Sequence, residues 1–115
     1  MTPPTATQNL HIFCLCAQWC VICREFEPAF QRLATDHPEH RWQSLDIEDH
    51  EALLADIDIE NFPTVVILNQ AKKVCFAGTI EPRIDSLQRL VQSAQADDLH
   101  LSAQSAQAWQ ALTTL

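Results

Sequence analysis

The sequence predicts one α/β domain in which a mixed sheet is flanked by helices. Three observations lead to this prediction. The chain has 115 residues, about the size of one domain. Apolar residues recur alternately in short strand-like runs and at helical spacing, which gives the element order βαβαββα followed by a tail helix. Finally, 47% hydrophobic and 19% charged residues are globular proportions, which argue against wholesale disorder.

The first half of the chain predicts two strands, each followed by a helix. A loose tail over residues 1–9 leads into an apolar run that predicts a buried strand over residues 10–15. A second strand over residues 41–47 carries Trp42 and Leu45, and a short helix is predicted at residues 50–55. Between the strands, a helix is predicted from residue 20 to about residue 35, kinked at Pro28. Its apolar face consists of Ile22, Phe26, Phe30 and Leu33.

The second half predicts a hairpin and two helices. The β-branched run TVVIL, residues 64–68, suits a strand that is covered on both faces. Residues 69–72 then turn the chain into a strand over residues 73–77, where Val74 and Phe76 alternate with Cys75. A helix is predicted to begin near Pro82, with an apolar face of Ile84, Leu87, Leu90, Val91 and Ala94. The predicted domain thus covers residues 10–96, and residues 97–115 form a C-terminal extension with a helix over residues 101–113.

Charge and hydropathy argue against two classes of partner. The chain has seven Lys and Arg and fifteen Asp and Glu, which gives a net charge of -8. It has no cluster of basic residues that could bind a phosphate backbone. The apolar stretches are far shorter than the roughly 20 residues that a membrane helix needs. We therefore expect neither nucleic acid nor a membrane as partner. Residues 1–9 have no basic or apolar segment of the signal-peptide kind, which predicts a cytoplasmic protein with reduced thiols.

Four of the five cysteines fall within ten residues, at Cys14, Cys16, Cys20 and Cys23. The last two form a Cys-x-x-Cys at the predicted start of a helix, where this spacing brings both sulfurs close enough for a disulfide. The partial positive charge of a helix N-terminus favours the thiolate of Cys20. Cys20 would attack a substrate disulfide and Cys23 would resolve the mixed disulfide, without a cofactor.

Other interpretations of the cysteines remain open on the motif alone. Cys-x-x-Cys is also half of many zinc sites, so the four clustered cysteines could hold zinc, or the pair could be two inert buried thiols. Cys14 and Cys16 share one face of their strand and are predicted to be small buried hydrophobes, with a redox or metal role as the alternative. Cys75 is predicted to be inert. The five histidines are predicted to lie at the surface: His11, His37, His40, His50 and His100.

Several motifs in a fixed order lead to a family resemblance. The strand FCLCAQ precedes WCVIC, Pro28 lies five residues past the second cysteine, and the acidic loop Asp46-Ile47-Glu48 follows the second strand. Asn61-Phe62-Pro63-Thr64 then opens a buried strand, and Gly78 precedes the last helix. Over residues 10–96 the chain resembles the thioredoxin superfamily, which implies a thioredoxin-like fold with a central mixed four-stranded sheet. The usual first strand and helix of that family are missing from the pattern, since nineteen residues precede Cys20.

The resemblance implies roles for residues around the cysteines. Pro63 would be a cis-proline facing the Cys-x-x-Cys motif. An apolar groove for an extended substrate segment would be formed by Trp19, Val21, Ile22, Phe62, Pro63 and the loop Gly78-Thr79-Ile80. The implied activity is reduction of protein disulfides, with recharging by a thioredoxin-reductase-like flavoenzyme or another dithiol.

Three departures from the family pattern refine this expectation. The intervening pair Val21-Ile22 contains no imidazole to stabilise the Cys20 thiolate, which favours a reductant over an oxidant. Cys14 occupies the position of the family's buried acid, and a thiol is a much poorer base than a carboxylate, so resolution by Cys23 is predicted to be slower. A single glycine argues against relatives that use glutathione and carry a Gly-Gly pair.

Two further alternatives concern function and assembly. The fold could serve a chaperone or assembly factor that docks a client without obligatory redox chemistry. The C-terminal helix, with Trp109 and Leu112, could cover the face left open by the missing elements, or it could form a homodimer. A monomer and a homodimer are both compatible with the sequence.

Overall fold

A four-stranded mixed sheet forms the centre of the molecule. The computed structural model describes residues 9–17, 19–50, 52, 63–96, 99, 101, 106–107 and 109–114. The strand order is β2-β1-β3-β4, with β1 parallel to β2 and antiparallel to β3, and β3 antiparallel to β4. This confirms the predicted mixed sheet. The elements are β1 (His11–Cys16), α1 (Val21–Asp36), β2 (Arg41–Asp46), β3 (Thr64–Leu68), β4 (Val74–Thr79), α2 (Ile84–Gln95) and a 3₁₀ helix (Gln110–Thr114).

The predicted hairpin is confirmed between β3 and β4. Lys72 adopts a positive φ of 65°, and the Asn69 side chain accepts the backbone N–H groups of Ala71 at 2.9 Å and Lys73 at 3.0 Å. These bonds fix the turn and explain why the polar tetrapeptide reverses the chain. The helix predicted at residues 50–55 falls on a segment of which 51 and 53–62 lie outside the described residues.

The predicted alternation in β4 is wrong because of a β-bulge. Val74 pairs with Leu68 and Phe76 pairs with Ile67, so Cys75 is the extra residue between them. A bulge reverses the faces of the residues that follow it. Val74 therefore lies on one face of the sheet, while Cys75 and Phe76 pack on the other. β4 also runs two residues further than predicted, so Gly78 and Thr79 belong to the strand.

Both α-helices of the described chain pack on one face of the sheet. The buried side chains of α1 are Cys23, Phe26, Phe30 and Leu33, and those of α2 are Leu87, Val91 and Ala94. They contact alternate residues of the central strands, including Ile12, Cys14, Val65 and Ile67. α1 continues through Pro28, which is exposed. No described helix has the length and apolar character needed to cross a membrane.

The C-terminal segment covers the opposite face. Leu112 is fully buried against Phe13, Leu15 and Val66, and Trp109 packs on the same cluster. The predicted covering role is thus confirmed. Of the helix predicted over residues 101–113, residues 106–107 are helical and Gln110–Thr114 form a 3₁₀ helix, whereas Leu101 and Trp109 are not helical. Residues 102–105 and 108 lie outside the described residues.

His40 corrects the prediction that the histidines lie at the surface. Its side chain has no exposed area, and its Nδ1 accepts the backbone N–H of Leu10 at 3.0 Å. It lies beside Trp42, whose ring packs edge-on against Phe30. His40 therefore joins the start of β1 to the start of β2 inside the molecule.

Candidate functional site

Three chain segments meet at one edge of the sheet. Because β1 and β3 are antiparallel, Leu15 near the end of β1 lies opposite Thr64 at the start of β3, and Thr64 in turn lies opposite Thr79 at the end of β4. The backbone N–H of Ile80 donates to the carbonyl of Pro63 at 3.2 Å. The loop after β1, the start of β3 and the end of β4 therefore share this edge, as the resemblance implies for a substrate groove.

The loop after β1 places Cys20 at the start of α1. Cys20 is the N-cap residue with extended backbone (φ -86°, ψ 110°), and its N–H donates to the carbonyl of Ala17 at 3.0 Å. Its own carbonyl accepts the N–H of Arg24 at 3.3 Å, which begins the helical pattern. Helix N-termini attract negative charge, so this position suits a thiolate.

Cys23 lies in the first turn of α1, on its inner face. It is only 5% exposed, whereas Cys20 is half-buried. Burial, followed by hydrogen bonds with the thiols of Cys16 and Cys20, raises the pKa of the Cys23 thiol well above its usual range. Cys20 is therefore the more accessible of the two sulfurs, and the raised pKa of the Cys23 thiol keeps it protonated near neutral pH.

Cys16 lies beside the Cys-x-x-Cys pair, although the sequence analysis favoured a small buried hydrophobe there and kept a redox or metal role as the alternative. Its sulfur lies 3.8 Å from that of Cys14, and it lines the same cavity as Cys23. The bond with Cys14, and then burial, raise the pKa of the Cys16 thiol far above its usual range. The strand alternation correctly puts Cys14 and Cys16 on one face. The strand pattern does not show that the first turn of α1 packs on the end of β1, next to Cys16.

A cavity of about 620 Å³ opens beside these sulfurs. The thiols of Cys14, Cys16 and Cys23 line it, and β2 contributes Ser44 and Asp46. Its other lining residues include Ala17, Arg24, Glu27, Phe30, Leu45 and Asp49. A cavity of this size with polar walls has room for water beside Cys23, and Cys20 is not among its lining residues.

The remaining residues predicted for the groove lie in different environments. Three large apolar side chains of the motif are exposed, namely Trp19 (65%), Val21 (62%) and Ile22 (47%). Pro63 is fully buried at the start of β3. Gly78 and Thr79 lie in β4, so the predicted loop Gly78-Thr79-Ile80 is wrong for its first two residues. Phe62 lies outside the described residues.

No group of three His, Cys, Asp or Glu side chains among the described residues is arranged to hold a metal ion. The four clustered cysteines are all described, and all are free thiols.

Comparison with known proteins decides the family. A sequence model of the thioredoxin family matches residues 5–93. The chain belongs to the thioredoxin family. This thioredoxin-family chain is 33% identical over 58 residues to thioredoxin H10 of Arabidopsis thaliana, and 30% identical over 60 residues to thioredoxin C-3 of Corynebacterium nephridii. Those matches cover 50% and 52% of this chain but only 38% and 41% of the relatives, so the chain spans less than half the length of either.

Solved structures agree on the fold of this thioredoxin-family chain. Fasciola hepatica thioredoxin superposes with a TM-score of 0.65 at 23% identity, covering 76% of this chain and 82% of that one. The short form of spinach chloroplast thioredoxin f gives 0.66 at 24% identity, with coverage of 78% and 80%. The thioredoxin-like fold implied by the sequence is therefore confirmed.

Proposed function

We propose that this chain is a thiol–disulfide oxidoreductase that reduces protein disulfides with Cys20 and Cys23. The observation that carries the proposal is the unequal pair at the start of α1. Cys20 is accessible at the N-cap, and Cys23 is buried one turn later, where the neighbouring Cys20 thiol helps to raise its pKa. Membership of the thioredoxin family supports the same activity.

The reaction follows from the positions of the two sulfurs. The Cys20 thiolate attacks one sulfur of the substrate disulfide, and the Cys20–substrate bond forms as the substrate bond breaks and releases one thiolate. Cys23 loses its proton and attacks the sulfur of Cys20, forming the Cys20–Cys23 disulfide and releasing the second substrate thiolate. The substrate gains two electrons and the enzyme loses two. A dithiol then restores the reduced enzyme by the same exchange chemistry.

The proton of Cys23 leaves into the cavity behind it. The chain has Cys14 where the family resemblance implies a buried acid, and Cys14 lies against Cys16 at 3.8 Å. The proton acceptor available to Cys23 is water in the cavity, whose wall includes Asp46. Because the pKa of Cys23 is raised, resolution is expected to speed up as the pH rises.

The exposed apolar side chains around Cys20 form the substrate-docking face. Trp19, Val21 and Ile22 are grouped beside the nucleophile, and grouped exposed apolar residues mark interaction sites. Pro63 at the start of β3 and Thr79 at the end of β4 border the same edge. Pro63 remains a predicted cis-proline, and Phe62 and Gly78 remain predicted groove residues. A protein segment with apolar residues beside its disulfide fits this surface.

The reductant we propose is a thioredoxin-reductase-like enzyme or another dithiol, in a reducing compartment such as the cytoplasm. One structural neighbour, thioredoxin f2, was solved in complex with ferredoxin:thioredoxin reductase. Another comes from a study of thiol resolution in a yeast mitochondrial 1-Cys peroxiredoxin. The pair Val21-Ile22, which lacks an imidazole, favours reduction over oxidation of substrates.

The reduction of insulin disulfides by dithiothreitol tests this function. The wild-type chain is expected to accelerate the reaction, and Cys20→Ser and Cys23→Ser are each expected to return it to the uncatalysed rate. Cys75→Ser is the matched control, because Cys75 lies away from the site and donates to the carbonyl of Ile67 at 3.4 Å. Equal rates with and without the wild-type chain would contradict the proposal.

The exposed patch also supports a second candidate, a client-docking factor whose cysteines are secondary. Replacing both cysteines in the host organism, Cys20→Ser/Cys23→Ser, distinguishes this candidate from the redox role. Full function of that variant in the host would favour docking, and loss of function would favour the redox role.

A further inference from the structure

Cys16 lies next to both Cys14 and Cys23. The sulfur of Cys14 is 3.8 Å from that of Cys16, and Cys14, Cys16 and Cys23 line the same cavity. The thiols of Cys16 and Cys23 are close enough to shift each other's pKa, and the Cys20 thiol also acts on the pKa of Cys23. Cys23 therefore has two neighbouring thiols, and a Cys-x-x-Cys pair by itself explains only one of them.

The secondary structure produces this arrangement. Cys16 is the last residue of β1 and faces the helical layer, as does Cys14 two residues earlier. The chain needs only residues 17–20 to reach the start of α1, so the inner face of its first turn lies against the end of β1. Cys23 is the buried residue of that turn. Cys16 is thereby held on the side of Cys23 away from the substrate-docking face.

We propose that Cys16 is a third redox-active thiol that exchanges with Cys23, so that the oxidised protein holds its disulfide either between Cys20 and Cys23 or between Cys16 and Cys23. This inference rests on the proposed function, because it requires the Cys20–Cys23 disulfide as its starting point. It adds a second oxidised form to the same site.

The bonds and electrons of this exchange balance within the chain. Cys16 gives its proton to water in the cavity, and its thiolate attacks the sulfur of Cys23. The Cys16–Cys23 bond forms as the Cys20–Cys23 bond breaks, and Cys20 leaves as a thiolate. Cys16 is oxidised and Cys20 is reduced, with no external oxidant or reductant. The leaving sulfur is the one at the helix N-cap, where negative charge is favoured.

The cavity gives the exchange both room and solvent. The cavity of about 620 Å³ lies against Cys16 and Cys23, so the sulfur of Cys16 can move toward Cys23 without displacing the core. Water in the cavity can accept the proton of Cys16. The raised pKa of Cys16 keeps the thiol protonated near neutral pH. The exchange is therefore slow there, and its rate is expected to rise about tenfold for each pH unit while the thiol remains mostly protonated.

The second oxidised form changes what the protein can do. With the disulfide moved inward, Cys20 is again a free nucleophile although the protein still lacks two electrons. It can capture a substrate disulfide, but Cys23 is occupied and cannot resolve the mixed disulfide. The oxidised protein would then hold a substrate instead of releasing it, until a dithiol reduces the Cys16–Cys23 bond.

Peptide mapping of the full chain tests the proposal. Oxidised samples are alkylated in acid to block free thiols and digested with chymotrypsin, which cleaves after Leu15, Trp19 and Phe26. A Cys20–Cys23 disulfide stays inside the peptide of residues 20–26. A Cys16–Cys23 disulfide instead joins that peptide to residues 16–19, so the two forms differ in mass.

Three variants are compared with the wild type at neutral pH. After oxidation with diamide, the Cys20→Ser protein is expected to contain the joined peptide, and Cys20→Ser/Cys75→Ser is expected to contain it equally. The joined peptide is expected to disappear in Cys20→Ser/Cys16→Ser. In the oxidised wild type, incubation at about pH 9 is expected to increase the share of the joined peptide. This wild-type measurement does not depend on the folding of any variant.

The outcomes separate the inference from the function on which it rests. If the wild type forms Cys20–Cys23 but Cys16 stays alkylated in every sample, the inference is wrong and the proposed function stands. A disulfide between Cys14 and Cys16 in place of the joined peptide also overturns the inference. Failure of the wild type to form Cys20–Cys23 at all contradicts the proposed function.

Discussion

Burial gives the two cysteines of the motif different chemistry although they are three residues apart. Cys20 sits at the helix N-cap and is half-buried, and Cys23 faces the core with 5% exposure. A thiol that is removed from water and hydrogen-bonded to other thiols holds its proton more tightly. The proposed order of attack, first Cys20 and then Cys23, rests on which residue of the first turn points inward.

His40 is a second residue whose environment controls its proton. Its Nδ1 accepts the N–H of Leu10, so the neutral ring carries its proton on Nε2. This nitrogen is buried, lies 3.7 Å from the Glu39 carboxylate and has no hydrogen-bond partner among the described residues. A second proton would have to go to Nδ1 and break that bond. Burial lowers the pKa of His40, the nearby Glu39 opposes this effect, and His37 adds slightly to it.

This environment makes the stability of the protein pH-dependent. Since the pKa of His40 is lower in the folded state than in the unfolded state, its contribution is fully present above about pH 6.5 and is lost as the pH falls through the folded-state pKa. His11, whose pKa is also lowered by burial, acts in the same direction. Urea unfolding between about pH 8 and pH 5 should show a falling free energy of unfolding.

His40→Gln should flatten this dependence, because an amide side chain does not titrate. His37→Gln is the matched control, since His37 lies at the same turn but is half-buried and lies 3.6 Å from Glu39. Equal pH dependence in His40→Gln and the wild type would show that His40 is not responsible.

At the scale of elements, α1 divides its apolar residues between two surfaces. From Phe26 onward they face the core, while Val21 and Ile22 in the first turn project beyond the sheet edge and are exposed. The same helix that buries Cys23 therefore presents an apolar face next to Cys20. We therefore propose that the start of α1 takes part in docking as well as in catalysis.

Ile22→Lys tests the docking face. We expect kcat/KM for a protein disulfide to fall about tenfold, equivalent to about 1.4 kcal/mol of lost apolar contact, because a charge replaces apolar surface. The rate with a small aromatic disulfide should stay within about twofold of the wild type, because such a substrate needs little docking. Gln31→Lys is the control, with the same charge added at an exposed position later in α1. Equal losses for both substrates would argue against a docking role.

Prediction from the sequence succeeded where periodicity alone determines structure. The β-branched run Thr64–Leu68 and the apolar face of α2 lie where their patterns indicate. Prediction failed where one extra residue changes the register, as at the bulge of Cys75. No local pattern in the sequence indicates that bulge. The contact of Cys16 with Cys23 was also missed, because it depends on how α1 packs on the end of β1.

At the scale of the whole molecule, the sheet has two separate apolar faces. The two α-helices cover one face, and on the other the described cover includes Leu112 and Trp109. Leu112 is fully buried although it lies near the end of the chain. The C-terminal segment is thus part of the folded core of the chain.

Leu112→Ala should lower the free energy of unfolding by about 2–5 kcal/mol, because it removes a large side chain from a packed cluster. Gln110→Ala, an exposed change in the same 3₁₀ helix, should cost less than about 0.5 kcal/mol. Denaturant unfolding measures both.

Size-exclusion chromatography of a chain ending at residue 98 gives a second test of the C-terminal segment. If the shortened chain is an unchanged, stable monomer, the segment neither covers the sheet nor forms a dimer.

Capture of the reaction intermediate tests the central claim most directly. Reduced Cys23→Ser protein is mixed with oxidised insulin, and the adduct is mapped by chymotryptic digestion. The account predicts a disulfide between insulin and Cys20, found on the peptide of residues 20–26, which dithiothreitol releases and which Cys20→Ser does not form. No adduct, or one formed through Cys16 or Cys75 with Cys20 still free, would contradict the assignment of Cys20 as nucleophile and Cys23 as resolving thiol.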